Sequence, residues 1–488
     1  MYRTVAQLDN LTGLLAQFFP QLCTRVQLPE PSVEGRPVFA LRLRAGGGGS
    51  RRGVLLVGGT HARELMNPDL LVELAIHLIV SYQTGNDVVL GNRTWTAQDI
   101  AIMLEALDIY LLPCGNPDGR NMVMTVDDMW RKNRRDNPGT ACDGVDLNRN
   151  LDLLWGVTEG QTSCSPCSDV YAGSAALSEP ETRNVRHLLD TQRIDCFVDV
   201  HSYSELVLYP WGHAPTQTTD STKRFTSLPS GTCQPLADPN YEEYMDPRDL
   251  LRFQTVAQRI VDAIRDVRGR SYTPQAGIAL YPTTGTHSDY VYGRHIADPA
   301  KRKTYGFTIE AGPYVGNPRD SFHPADPEPI KRETESGLLA LVQQCICAIE
   351  LIGSRILGRE DEVDALRRVR DEVLGTTAAG RQWIALFERV QTPFLTVVLA
   401  DERMAAEIGA LMTAAGELLA DDRRTLDRDL LDRTLRVLRA LDERAPTETE
   451  RGGLRTVQAR LESFEGRPAS QIIDTLLARG PDDGYENR

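Results

Sequence analysis

Residues 53–64 read Gly-Val-Leu-Leu-Val-Gly-Gly-Thr-His-Ala-Arg-Glu, an apolar run that stops at a glycine pair and turns polar at once. A short apolar run with this punctuation reads as a buried strand. Three more segments share its grammar: Asp108–Pro113 (DIYLLP), Asp195–His201 (DCFVDVH) and Tyr305–Glu310 (YGFTIE). Strands that are apolar nearly throughout need cover on both faces, which the longer amphipathic segments between them supply. Residues 1–352 are therefore expected to form an α/β domain, with helices on both faces of a sheet. The glycine run 46–49 and the Pro/Thr/Ser-rich stretch 214–247 read as loops, and the second is long enough to be a functional surface loop.

Beyond residue 352 the texture changes. Val363, Leu366, Val369 and Val373 recur at helical spacing, as do Leu426, Leu430, Thr434, Leu438 and Leu441, and then Leu454, Val457, Leu461 and Phe464. Only Phe394–Ala400 competes as a strand, and Pro446 and Gly452-Gly453 are expected to separate helices. Residues 353–488 thus read as an all-α appendage. Its alternating charges (Asp421-Asp422-Arg423-Arg424, Asp427-Arg428-Asp429) mark a solvated face. It would serve packing or oligomerisation, or dock a protein partner.

Of the 488 residues, 41% are hydrophobic and 25% charged, the composition of a folded protein. The net charge of −14 argues against nucleic acid as a partner, because phosphate neutralisation needs basic surface. The apolar stretches near 70–80 and 338–352 are interrupted by Glu73, His77 and Gln343-Gln344, so no membrane span is expected. The first residues have no basic segment followed by an apolar one, which gives an expectation of a cytoplasmic protein with secretion left open. Nine cysteines spread over the chain are then expected as thiols, with Cys345 and Cys347 as small buried hydrophobes.

Chemistry gathers where the expected strands end. The first runs into His61 and Glu64, another ends in His201, and the last ends in Glu310. Sites in open α/β sheets form at the carboxyl ends of strands. A His and a Glu three apart, completed by a distant His, make three protein ligands and leave a fourth position for water. That is the pattern of a catalytic zinc site, whereas structural zinc sites are closed. His-x-x-Glu alone is weak; its joint placement with two further strand ends is not.

Several ordered segments point further: His61-Ala62-Arg63-Glu64, Asn116-Pro117-Asp118-Gly119, Trp130-Arg131-Lys132, 144–150 (GVDLNRN), His201-Ser202-Tyr203-Ser204, Tyr281 and Thr308-Ile309-Glu310-Ala311. With them, residues 1–350 resemble the zinc metallocarboxypeptidases of the pancreatic A and B type. The resemblance implies a mixed, mostly parallel sheet and one Zn²⁺ per chain, held by His61, Glu64 and His201. It implies Glu310 as the general base and Arg131 as the stabiliser of the oxyanion. Asp146 would orient His61. Asn148 and Arg149 would read a free C-terminal carboxylate, for which a guanidinium fork is well shaped, and Tyr281 would close over the terminal residue. Arg63 and Tyr203 would line neighbouring subsites. The implied activity is removal of single C-terminal residues from peptides or proteins. A cell-wall peptide hydrolase, an acyl-amino-acid deacylase and a scaffold acting through the helical region are the competing readings.

Within that resemblance two features depart from the best-known members. Ser288 falls at the base of the pocket for the terminal side chain, where B types carry an acid and A types an aliphatic residue; His287 stands beside it. Sixty residues precede His61, so an inhibitory pro-segment of the digestive type is not expected. Cys142 and Cys167 match a pair that is bridged in secreted relatives, with Cys164 as an extra thiol.

Overall fold

In the computed structural model the described residues are 2–46, 51–214, 216–346, 366, 369–380, 382–384, 386–387, 401–445 and 448–481. The strands are β1 (Cys23–Gln27), β2 (Phe39–Leu43), β3 (Arg52–Gly58), β4 (Val88–Leu90), β5 (Arg93–Trp95), β6 (Leu107–Leu112), β7 (Ile194–His201), β8 (Leu206–Tyr209), β9 (Thr216–Thr218), β10 (Glu242–Tyr244), β11 (Thr273–Ala276) and β12 (Tyr305–Glu310). Eight of them form one sheet in the order β1-β2-β6-β3-β7-β12-β8-β11. The four strands expected from the sequence are its contiguous centre, β6-β3-β7-β12, and each neighbouring pair there is parallel. Antiparallel pairings join β1 to β2, β2 to β6 and β12 to β8. The sheet is therefore mixed, with a parallel centre and one further parallel pair, β8 with β11, at an edge.

Burial explains which strands were legible. Val54, Leu55, Leu56, Phe197, Val198, Phe307 and Ile309 are all fully buried, so those runs are largely apolar. The flanking strands are short or half-exposed. β11 even contains Pro274, which is tolerated because this strand is an edge.

Helices α1 (Val5–Phe18), α2 (Met66–Thr84), α3 (Ala97–Ala106), α4 (Pro117–Thr125), α5 (Pro180–Thr191), α6 (Pro247–Arg268), α7 (His287–Ala297), α8 (Pro318–Phe322) and α9 (Glu328–Cys345) complete this unit. α6 begins at Asp246, whose side chain accepts from the Arg248 amide, and places a proline in its first turn. Its packing against α9 depends on Gly337. A methyl group there would lie 2.9 Å from Ile264 Cγ1 and 3.1 Å from Ile260 Cγ2.

Cys345, expected as a small buried hydrophobe, is instead bridged to Cys196 on β7 and so ties α9 to the sheet. Pairing of cysteines far apart in sequence depends on packing that periodicity does not report. Cys347 lies outside the described residues.

The 214–247 stretch is less irregular than expected, since β9 and β10 pair within it. It is anchored by Glu243. This carboxylate lies 3.2 Å from Nε2 of the fully buried His213 and accepts from Tyr241 Oη at 3.0 Å. Asp289 is 3.5 Å from the other ring nitrogen of His213. Burial alone would lower the imidazole pKa, but the hydrogen bonds and charge of Asp289 and Glu243 outweigh it and raise it to about 9. A histidine whose pKa rises on folding contributes its stability fully below the unfolded value near 6.5. That contribution is lost as pH climbs through about 9, and amounts to about 3 kcal/mol. Thermal melts from pH 6 to 9.5 should show wild-type stability falling across this window. His213→Gln should be less stable at pH 6 and flatter in pH. Parallel profiles would refute the assignment.

The chain divides into two compact units, Met1–Cys345 and Ile346–Arg488, somewhat before the expected division at 352. In the second unit, α10 (Glu402–Ala420), α11 (Arg428–Arg444), α12 (Glu448–Glu462) and α13 (Ala469–Ala478) surround two apolar clusters. Ile408, Leu438, Leu441 and Leu454 belong to one, and Leu431, Leu435 and Phe464 to the other. Gly452-Gly453 do not separate helices; both lie inside α12. Their cost, about 1 kcal/mol each, is offset where Leu454 is fully buried beside them. Val363, Phe394–Ala400 and Pro446 lie outside the described residues. Among the described residues, no helix is long and apolar enough to cross a membrane.

Candidate active site

β3, β7 and β12 are neighbours in the sheet, and their carboxyl ends fall at one edge. Gly58 is level with Val200, and Glu310 is level with His201. After β3 the chain must turn sharply, and Gly59 does so at φ +67°, where a Cβ would sit 2.8 Å from Pro68 Cγ. The turn delivers His61 and Glu64 just before α2.

His61, Glu64 and His201 converge and are buried. Glu64 Oε1 lies 2.8 Å from His61 Nδ1, Glu64 Oε2 lies 3.1 Å from His201 Nδ1, and the two Nδ1 atoms are 3.0 Å apart. Two facing imidazole nitrogens can share at most one proton. Their pKa values accordingly diverge: burial and Arg131 push His61 down, while Asp199 and Glu64 outweigh burial and push His201 up. Burial would raise the Glu64 carboxyl, but the two imidazoles bring it down to about 2. Two imidazole nitrogens and a carboxylate that converge on one point can hold a cation in place of the proton otherwise shared there. Ligands about 2.0–2.1 Å from a tetrahedral zinc would stand only slightly farther apart than these.

Supporting groups hold the ligands. His61 Nε2 is 3.1 Å from Asp146 Oδ1, and Arg131 donates Nε and Nη2 to Asp146 Oδ2 at 3.0 and 2.9 Å. Asp146 therefore contacts the His61 imidazole and the Arg131 guanidinium together, and Arg131, Arg149 and His61 overcome its burial to hold its pKa well below the carboxylate range. The Asn116-Pro117-Asp118-Gly119 segment caps α4 and also braces the site. Asn116 Nδ2 donates to the carbonyls of Thr60 (3.2 Å) and Lys132 (3.0 Å), linking the His61 turn to the Arg131 segment.

A cavity of about 310 Å³ opens over the ligands, with Glu310, Arg131, Arg149, Arg63, Tyr203 and Tyr281 in its wall. Burial pushes the Glu310 pKa up to about 7; nearby Glu64 adds to the rise, and His201 and Arg131 oppose it. Arg149 is buried and aimed by two backbone carbonyls: Nη1 donates to that of Asn148 at 2.6 Å, and Nε to that of Gln161. Gly285, at φ +67°, rests directly on the Arg149 carbonyl, where no side chain would fit. This contact sets the Tyr281 loop against Arg149. Asn148 sits beside the ligands, with Nδ2 3.5 Å from His201 Nε2 and Oδ1 accepting from the His287 amide at 2.8 Å.

Ser288 is not among the residues lining this cavity. It is half-buried, with its backbone against Gly306 of β12. Tyr203 meets Phe322 and Tyr314 in a ring cluster, and the Arg63 guanidinium lies 4.7 Å from the Phe322 ring centre.

Sequence reading missed several wall and supporting groups. Gln161, Asp169 and Val170 reach the cavity on a loop crosslinked by two disulfides, Cys142–Cys167 and Cys164–Cys233, where thiols were expected. No local pattern predicts such pairings. Asp199 was missed although a signal existed, since residues two apart on a strand share a face and His201 is two positions on.

The pattern of the zinc carboxypeptidase family matches residues 8–333, more than half of the chain. Carboxypeptidase A4 of Mus musculus is 31% identical over 298 residues, covering 61% of this chain and 59% of the relative. Carboxypeptidase B of Helicoverpa zea is 36% identical over 219 residues, 43% of this chain and 47% of the relative. The chain thus spans less than two thirds of the length of these relatives. The solved carboxypeptidase A from Helicoverpa armigera superposes with a TM-score of 0.53 at 24% identity, covering 70% of this chain and 72% of that structure, a likeness of fold. The chain belongs to the zinc carboxypeptidase family.

Proposed function

We propose that this chain is a zinc-dependent carboxypeptidase that hydrolyses the last peptide bond of peptides or proteins and releases single amino acids. One observation carries the reading: a buried guanidinium, Arg149, lines the same cavity as Glu310 and as His61 and Glu64, the pair on which His201 converges. Zinc held by that set would supply Lewis-acid polarisation and a lowered water pKa. Glu310 takes the proton of the attacking water and hands it to the leaving amine. Arg131, fixed by Asp146, donates to the oxygen that gains charge as the carbonyl is attacked. Arg149 and Asn148 bind the terminal carboxylate, which places the scissile bond one residue away from the chain end. Tyr281, 36% exposed at the mouth, is free to fold over that residue.

The three disulfides among the described residues favour a compartment in which thiols oxidise, and we infer such a setting in place of the cytoplasm.

The preferred terminal residue is expected to be neutral. Selecting Lys or Arg needs an unpaired anion facing the side chain. Glu243 and Asp289 are instead engaged by His213, and Asp199 lies beside His201 and His287. Purified protein should hold one zinc per chain and cleave blocked dipeptides that differ only in the last residue. Ranking them by kcat/KM should put neutral residues above Lys and Arg. Basic residues at the top would overturn the specificity, and absence of zinc and cleavage would overturn the function.

A further inference from the structure

Asp199 occupies a position in the sheet that touches both ligand-bearing strand ends. On β7 it is level with Val57 of β3 and Thr308 of β12, two positions before His201. Its Oδ2 lies 2.8 Å from His201 Nε2, the ring nitrogen turned away from the other ligands. Thr60, the residue before His61, donates its hydroxyl to Asp199 Oδ1 at 2.9 Å and Oδ2 at 3.1 Å. One carboxylate therefore contacts His201 directly and holds the turn that carries His61.

A third contact reaches the same carboxylate oxygen as His201. His287, at the start of α7, places Nδ1 2.9 Å from Asp199 Oδ2. The ring is buried and lies near-parallel to Phe197, with centres 5.9 Å apart. Its amide donates to Asn148 Oδ1, so the same residue touches the segment bearing Arg149.

We propose that Asp199 is a positioning residue that orients the metal-binding His201 and the His61 turn, and that His287 holds Asp199 in place. The arrangement is the counterpart of Asp146 behind His61, giving each imidazole ligand its own carboxylate. A carboxylate behind a ligating histidine fixes the ring and raises its basicity. Sharing Asp199 with Thr60 adds a function that Asp146 lacks, because it couples the spacing of two strands to the orientation of one ligand. The inference rests on the zinc reading of the site, and its test reads metal binding without peptide turnover.

The measurement is a competition titration of metal-free protein with Zn²⁺ against a chromophoric chelator, together with the visible absorption of the Co²⁺-substituted protein. Asp199→Asn keeps shape and the contact with Thr60 but loses the charge. It should weaken zinc binding by about 10–100-fold and shift the cobalt bands. His287→Phe keeps the ring beside Phe197 and removes the contact with Asp199, and should weaken binding less, with a band shift in the same direction. Thermal melts of the metal-free forms establish folding. If Asp199→Asn does not fold, His287→Phe and Thr60→Val decide the matter. Zinc affinity within twofold of wild type and unchanged cobalt bands in the folded variants would overturn the proposal. Failure of wild-type protein to bind zinc would instead overturn the function on which it rests. Weakened binding alongside absent peptidase activity would uphold the role of Asp199 and count against the carboxypeptidase reading alone.

Discussion

Glu310→Gln is expected to keep zinc binding and the melting temperature while lowering kcat by about 10²–10⁴-fold, the usual worth of a positioned general base. The amide has the size of the carboxylate but cannot take the water's proton. The pH profile provides a second reading. Glu310 works only when ionised, and burial raises its pKa to about 7. A cation at the neighbouring ligand set would pull it back down, so kcat/KM should rise with pH along an acid limb whose midpoint is at or below about 7. The limb should vanish from the residual activity of the glutamine variant. Turnover at the native rate in Glu310→Gln would show that another group removes the proton.

Amidating the C-terminus of a good substrate should slow its cleavage by about 10²–10⁴-fold. Arg149 is buried and committed to its geometry by the carbonyls of Asn148 and Gln161, so it does not follow a displaced ligand. Losing the carboxylate leaves the guanidinium buried without its charged partner, a loss of about 3–5 kcal/mol in comparable pairs. The double comparison makes the assignment specific. In Arg149→Ala, acid and amide should both be poor and nearly equal. Equal cleavage of the two substrates by the wild-type protein would point to an endopeptidase or amidase.

The central sheet and the convergent His/Glu/His cluster were legible because one physical fact produced both signals. Strands buried on both faces are apolar along most of their length, and the polar residues at or just after their carboxyl ends stand at the edge where sites form. His61, Glu64, His201 and Glu310 are such residues. The outer strands carried no comparable signal: β1 alternates with exposed positions, and β11 includes a proline that only an edge accepts. Gly452-Gly453 misled for the opposite reason, since local propensity was overridden by the burial of Leu454.

The amino-acid order alone thus established an α/β body, a helical region after it, and a His/Glu/His set with a glutamate nearby, all from local burial patterns and strand punctuation. The partners of Cys164 and Cys345, the neutralisation of Glu243 by His213, the withdrawal of Ser288 from the cavity wall and the bracing of Thr60, His201 and His287 by Asp199 arose only on folding. Each depends on which distant segments come to lie side by side. That adjacency is set by strand order and helix packing, and a single chain's periodicity carries no record of it.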